Sequence, residues 1–179
     1  MIWQCNHKFK DKTRCKTPHL TEDEIKAAFV RMVNKLYTDR EFYITELTAI
    51  KDRLGDTASL EKERRLLDEQ LGIDAKAVND LIAQNARVAQ NQKEYNERYD
   101  ALVSRYEETE RRRDGVAEQI DQIMIRKRKM ERFIEAVTAL PELYTEFDAG
   151  QWAGLVDSMT VYSRDRTVFR LTCGMETEV

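Results

Sequence analysis

Apolar residues are distributed along this chain as thin stripes rather than blocks. Phe29, Val33, Leu36, Tyr43, Leu47, Ile50 and Leu54 step by three, four or seven, which places them on one face of a helix. The start of that helix is legible. Thr21 as N-cap with Glu24 three residues on forms a capping box, and Leu20 and Ile25 are spaced as its hydrophobic staple. Pro18 upstream and Glu22 and Asp23 in the first turn agree with it. Gly55-Asp56-Thr57 can end or kink the helix and cap the next, in which Leu60, Leu67 and Leu71 continue the stripe. Gly72-Ile73-Asp74 offers a second kink.

A longer repeat follows. Leu81, Val88, Tyr95, Leu102, Thr109, Val116, Ile123, Met130 and Val137 fall every seventh residue. Offset by four run Tyr99, Tyr106, Ile120 and Ile134, with polar Asn85, Gln92, Arg113 and Lys127 in the same row. A sustained 3-4 repeat flanked by charge predicts a coiled-coil seam. Its second strand is either another chain or an earlier part of this one. The polar stretch Ala86 to Gln92 is a candidate tip, which lets residues 38–85 and 92–139 pair antiparallel over roughly 70 Å at the helical rise. The heptad phase running through the tip argues against that turn, and Gly72 is the rival one.

The ends differ in character. Residues 1–20 are polar and irregular, with a short strand pattern at Ile2-Trp3-Gln4-Cys5. Pro141 ends the long helix. Asp148 with Gln151 resembles another capping box, opening a short helix with Trp152, Leu155 and Val156 inward. Then Met159 and Val161, and Phe169 and Leu171, alternate on either side of Arg164-Asp165-Arg166, the pattern of a β-hairpin. Two strands alone are marginal in water. The Trp3 segment is the obvious surface for them, so the two chain ends are expected to meet.

Composition supports helices. Of 179 residues 35% are charged, and only 6 Gly and 2 Pro are present. The net charge of -3 excludes a uniformly basic surface, but Lys8, Lys10, Lys12, Arg14 and Lys16 face only Asp11 within residues 1–20, a local charge of +4. Such an end suits a polyanion, or is simply a solvated loop. No apolar run approaches a membrane span, and the Met1 end lacks a signal-peptide core. Three cysteines, Cys5, Cys15 and Cys173, are too few and too unevenly spaced for a disulfide framework, which makes a reducing cytoplasm the expected setting. Cys5 and Cys15, with His7 and His19 nearby, are either half a zinc site or two ordinary thiols, while Cys173 sits in a strand pattern as a small hydrophobe. Arg164, Arg166 and Arg170 are a second basic group. No nucleophile elbow, phosphate-binding Gly loop or His-Glu metal motif occurs, so no enzyme active site is expected.

The opening WQCNHKFKDKTRCKTPHLTEDEI resembles the second half of the recombinase zinc β-ribbon of large serine recombinases. QKEYNERYDAL is similar to the start of that family's returning coiled-coil helix, and FDAGQWAGLVDSMTVYSRDRTVFRLTCGMETEV resembles its closing pattern. The matches cover both ends and the middle in the right order. The family performs site-specific DNA recombination with an N-terminal catalytic domain, a middle DNA-binding domain, and a zinc ribbon bearing a coiled coil that controls synapsis. The resemblance implies that this chain holds only the last part. It departs from the pattern in lacking the first pair of zinc cysteines, which would lie upstream of Met1, and in having Arg164-Asp165-Arg166 where the final hairpin commonly carries a glycine.

The resulting expectation is a mainly α fold in which a long antiparallel coiled-coil hairpin emerges from a small α+β, zinc-ribbon-like end formed by both termini. Residues 1–37 would be a partial ribbon and first helix, 38–140 the coiled-coil hairpin with its tip at about 86–92, and 141–179 a short helix and β-hairpin packing back on the N-terminal segment. Cys5 and Cys15 would be half a zinc site, filled in the intact parent and empty here. Lys8, Lys10, Lys12, Arg14 and Lys16 would contact double-stranded DNA, and Leu81, Val88 and Tyr95 other recombinase subunits, with neither membrane nor small-molecule substrate involved. The rival from another class is a structural coiled-coil rod or scaffold with small capping elements, which would not need a basic, Cys-bearing end. A self-contained zinc enzyme fails on ligand count.

Overall fold

A computed structural model describes residues 1–3, 17–54, 56–88 and 91–179. Over these residues the chain is mainly helical with two small antiparallel sheets. In order, its elements are β1 (Ile2–Trp3), β2 (Leu20–Thr21), α1 (Glu22–Thr38), α2 (Arg40–Leu54), α3 (Ala58–Arg87), α4 (Gln92–Thr138), α5 (Ala149–Leu155), β3 (Val156–Ser163), β4 (Arg166–Leu171) and β5 (Glu176–Glu178). They form two compact units, Met1–Arg53 with Arg126–Val179, and Leu54–Ile125.

In the first unit, α1 starts where the capping box places it. The Thr21 hydroxyl accepts from the Glu24 N–H at 3.2 Å, and the Glu24 carboxylate accepts from the Thr21 N–H at 2.7 Å. Burial then follows the 3.6-residue period, with Phe29, Met32, Val33 and Leu36 all at 1% exposure or less. Each such side chain contributes roughly 1.5–3 kcal/mol by leaving water. The stripe does not run on in one helix. Asp39 breaks it at φ -94° and ψ 10°, and α2 restarts at Arg40 so that Tyr43 and Leu47 are buried again. α2 meets the last turns of α4 through Tyr43 against Phe133 (6.3 Å between rings) and Lys51 with Glu131 (3.8 Å). α4 ends at Thr138, three residues before Pro141.

Asn34 pins the segment after α4 to α1. Its amide donates to Tyr144 O and accepts from Tyr144 N, both at 2.9 Å. That bracket presents Tyr144 and Phe147 to Phe29, whose ring also meets Trp152 at 5.2 Å, and Trp152 in turn meets Phe169 at 5.9 Å. Asp148 caps α5 by accepting from the Gln151 N–H at 2.7 Å. The C-terminal sheet has order β3-β4-β5, with Met159 opposite Phe169 and Phe169 opposite Thr177. β4 alternates cleanly, burying Thr167, Phe169 and Leu171. The third strand, β5, was not anticipated by the hairpin pattern. The β3–β4 turn is also shorter than expected, since Arg166 already belongs to β4. Cys173 lies half-buried in the turn between β4 and β5 rather than in a strand, beside Gly174 at φ +94°.

In the second unit, α3 runs unbroken through Gly72, so that residue is neither kink nor turn. A glycine costs roughly 1 kcal/mol inside a helix, which the burial of Leu67 and Leu71 on the preceding turns outweighs. The helical run stops at Arg87 instead and resumes at Gln92. Later residues of α3 meet earlier residues of α4, so the two helices run in opposite directions here. Leu67 clusters with Val116 and Ile120, with Leu60 packed against them, and Asp74 meets Arg105. Charges flank the contact, with Arg112 at 3.7 Å from Glu63 and Arg113 at 3.9 Å from Asp68.

Candidate functional site

Cys5, Cys15, His7 and the cations Lys8, Lys10, Lys12, Arg14 and Lys16 lie outside the described residues. The chain on either side of them is described, and it closes. β1 pairs antiparallel with β2, Ile2 opposite Thr21 and Trp3 opposite Leu20, and the Glu22 N–H donates to Met1 O at 3.1 Å. This short ladder joins the two ends of the cysteine-bearing segment immediately before the capping box. Trp3 therefore pairs with Leu20, in a different sheet from Phe169. Both ends nevertheless belong to the same unit, and Glu24 of α1 holds Arg164 of the C-terminal turn at 3.3 Å.

Between these parts lies an open cleft of about 870 Å³. Trp3, Leu20, Ile25, Phe147, Trp152, Met159 and Val161 give it an apolar lining. At its edge Lys26 pairs with Glu22 at 2.9 Å and lies 5.5 Å from the Phe147 ring centroid. Hydrogen bonding to Lys26 and its charge hold the Glu22 carboxyl below the usual range, and Glu22 raises Lys26 by the same interactions. The backbone N–H and hydroxyl of Thr21 do the same to Glu24. These groups are ordinary ion-pair and cap partners. Among the described residues no group of three or more His, Cys, Asp or Glu is placed to hold a metal ion. No helix among them is long and apolar enough to cross a membrane.

The three residues expected to contact another subunit are placed unequally. Leu81 is buried at 7% exposure, while Val88 is 64% exposed. Val88 has left the helix for extended backbone (φ -132°, ψ 130°), so it is not a seam residue. Tyr95 is half-buried and stacks on Tyr99 at 6.1 Å. Further along α4, four positions of the same seven-residue row, Thr109, Val116, Met130 and Val137, are buried.

The basic group in the C-terminal hairpin is neutralised. Arg164, Arg166 and Arg170 have carboxylates of Glu24, Glu178 and Asp157 at 3.3, 3.1 and 3.8 Å. A second basic cluster escaped the sequence reading. Arg126, Lys127, Arg128, Lys129 and Arg132 face only Glu131 across residues 126–132, a local charge of +4. The signal was present as four consecutive cations, but the heptad pattern absorbed them as seam flanks. A third feature had no signal. Asp74 is completely buried, accepting from Gln70 Nε2 at 2.8 Å and paired with Arg105 Nη2 at 2.6 Å.

No family model, curated protein or solved structure matches the chain.

Proposed function

We propose that this chain is the C-terminal, non-catalytic part of a site-specific serine recombinase, acting as a DNA-binding and subunit-interaction module. In this reading a coiled-coil hairpin, turning near residues 86–92, rises from a partial zinc ribbon at the base. The observation that carries it is the β1–β2 ladder. It closes the basic, cysteine-bearing segment onto a capped helix in the unit that also holds the C-terminal sheet, an arrangement a simple rod has no use for. The opposed packing of α3 and α4 supports the hairpin, and the exposed Val88 supports a contact point at its turn. Cys5 and Cys15 would supply two of the four ligands of a tetrahedral zinc shell.

Such an arm associates weakly by itself. A few side chains such as Leu81, Val88 and Tyr95 yield only a few kcal/mol after ordering costs, so pairing relies on DNA holding subunits close. The test uses the full chain. Fluorescence anisotropy is expected to register duplex binding that weakens at least ~10-fold when Lys8, Lys10, Lys12, Arg14 and Lys16 become Gln. Sedimentation at micromolar concentration is expected to give mostly monomer, with a weak self-association that Val88→Asp removes while sparing DNA affinity. Absence of duplex binding at low salt, together with a dimer that survives nanomolar dilution, would instead establish the rod.

A further inference from the structure

We propose that the basic face of α4 formed by Arg128, Lys129 and Arg132 is a second contact surface for the phosphates of duplex DNA, separate from residues 8–16. Residues at i, i+1 and i+4 of a helix share one side and span about 6 Å of rise. All three side chains are exposed, as is neighbouring Arg126, while Lys127 is half-buried. Phe133 and Val137, at 1% exposure or less, and Met130, at 7%, turn the opposite side of the same helix inward, so this face is held outward by packing.

Charge compensation sets this cluster apart from the arginines of the α3–α4 contact and of the C-terminal hairpin. Arg105, Arg112 and Arg113 meet Asp74, Glu63 and Asp68, and the three hairpin arginines each meet a carboxylate. Among the described residues none of the five cations at 126–132 has a carboxylate within ion-pair distance, and Glu131, their one acidic neighbour in sequence, is held by Lys51. A compact, unneutralised positive field on a rigid helix favours a polyanion with closely spaced charges. The run has no aromatic residue on which unpaired bases could stack, which disfavours single strands. Met130, the one apolar residue within the run, is buried, which disfavours insertion into a lipid surface. Duplex phosphates are what remains, and the duplex is also the partner the function proposed above names.

Neutralising three phosphates adds about 2.7 to the slope of log affinity against log salt, or roughly a 40-fold change between 50 and 200 mM salt. Anisotropy titrations of the full chain on two duplexes of unrelated sequence across that range measure the slope. Arg128→Gln/Lys129→Gln/Arg132→Gln is expected to reduce it by about 2–3 on both duplexes, and Arg164→Gln/Arg170→Gln to leave it unchanged. Wild-type protein gives an independent readout, because duplex should protect Lys129 from an amine-reactive reagent, followed by mass spectrometry. An unchanged slope with Lys129 still reactive overturns this inference while leaving DNA binding through residues 8–16 intact. Loss of slope in the α4 variant, with no loss when residues 8–16 are neutralised, supports it and removes DNA contact from that segment. No salt-dependent duplex binding by wild type, or retention only on phosphatidylserine vesicles, overturns both.

Discussion

Removing Arg105 is expected to destabilise the α3–α4 pair more than neutralising its buried partner Asp74 does. The geometry is asymmetric. Asp74 is fully buried, whereas the Arg105 side chain is 53% exposed. In Arg105→Ala the carboxylate stays in the core with Gln70 as its main donor. Thr109 Oγ1 is 3.5 Å away and already donates to Arg105 O at 2.9 Å, so it replaces little. Breaking a wholly buried pair costs about 3–5 kcal/mol. Solvent already screens half of this one, so the expected loss is about 2–3 kcal/mol. In Asp74→Asn the amide oxygen still accepts from Gln70 and the guanidinium returns to water, for about 1 kcal/mol. Asp74→Leu/Arg105→Leu should recover much of the loss, because an apolar pair fills the site without a charge to desolvate. Urea unfolding followed at 222 nm, with slopes compared to verify one transition, measures the three variants against wild type. A loss below ~0.5 kcal/mol for Arg105→Ala, or a larger loss for Asp74→Asn, would refute the assignment of Arg105 as the compensating charge.

Three further outcomes follow from the same contacts. Thr21→Ala should cost about 1 kcal/mol by thermal unfolding and Thr21→Ser much less, since only the hydroxyl reaches the Glu24 N–H. Phe29→Ala should cost about 3–5 kcal/mol and weaken the near-UV circular dichroism of Trp152, whose ring it meets at 5.2 Å. Burial raises the Cys173 thiol above its ordinary range. Its stabilising contribution is therefore full below the unfolded thiol's pKa and lost as pH rises through the folded one. Site-resolved mass spectrometry should find Cys173 alkylated more slowly than an unfolded-chain thiol near neutral pH, and equal rates would contradict that burial.

Features that rest on near neighbours along the chain were legible without the fold. The Thr21–Glu24 box, the Asp148 cap and the Phe29–Leu36 stripe are read over three or four residues, because caps and helix faces are geometric consequences of one turn. The start of the C-terminal sheet was legible for the same reason, as period-2 alternation in Phe169 and Leu171. The cysteine pair and the basic segment are likewise visible as local clusters in the chain.

Packing between distant segments accounts for the remaining features. Gly72 reads as a breaker, yet packing of Leu67 and Leu71 carries α3 through it, while the unbroken heptad phase at Val88 fails to keep a helix there. Asp39 interrupts a stripe that looks continuous, since the apolar spacing is equally served by two helices that each bury one part. The Phe29–Trp152–Phe169 cluster joins distant segments, and Arg164 finds Glu24 across 140 residues. Asp74 resembles any helix-surface carboxylate until α4 covers it. Which arginines remain free was likewise undecidable from composition, because an ion pair forms between residues that the fold, and not the chain order, makes neighbours.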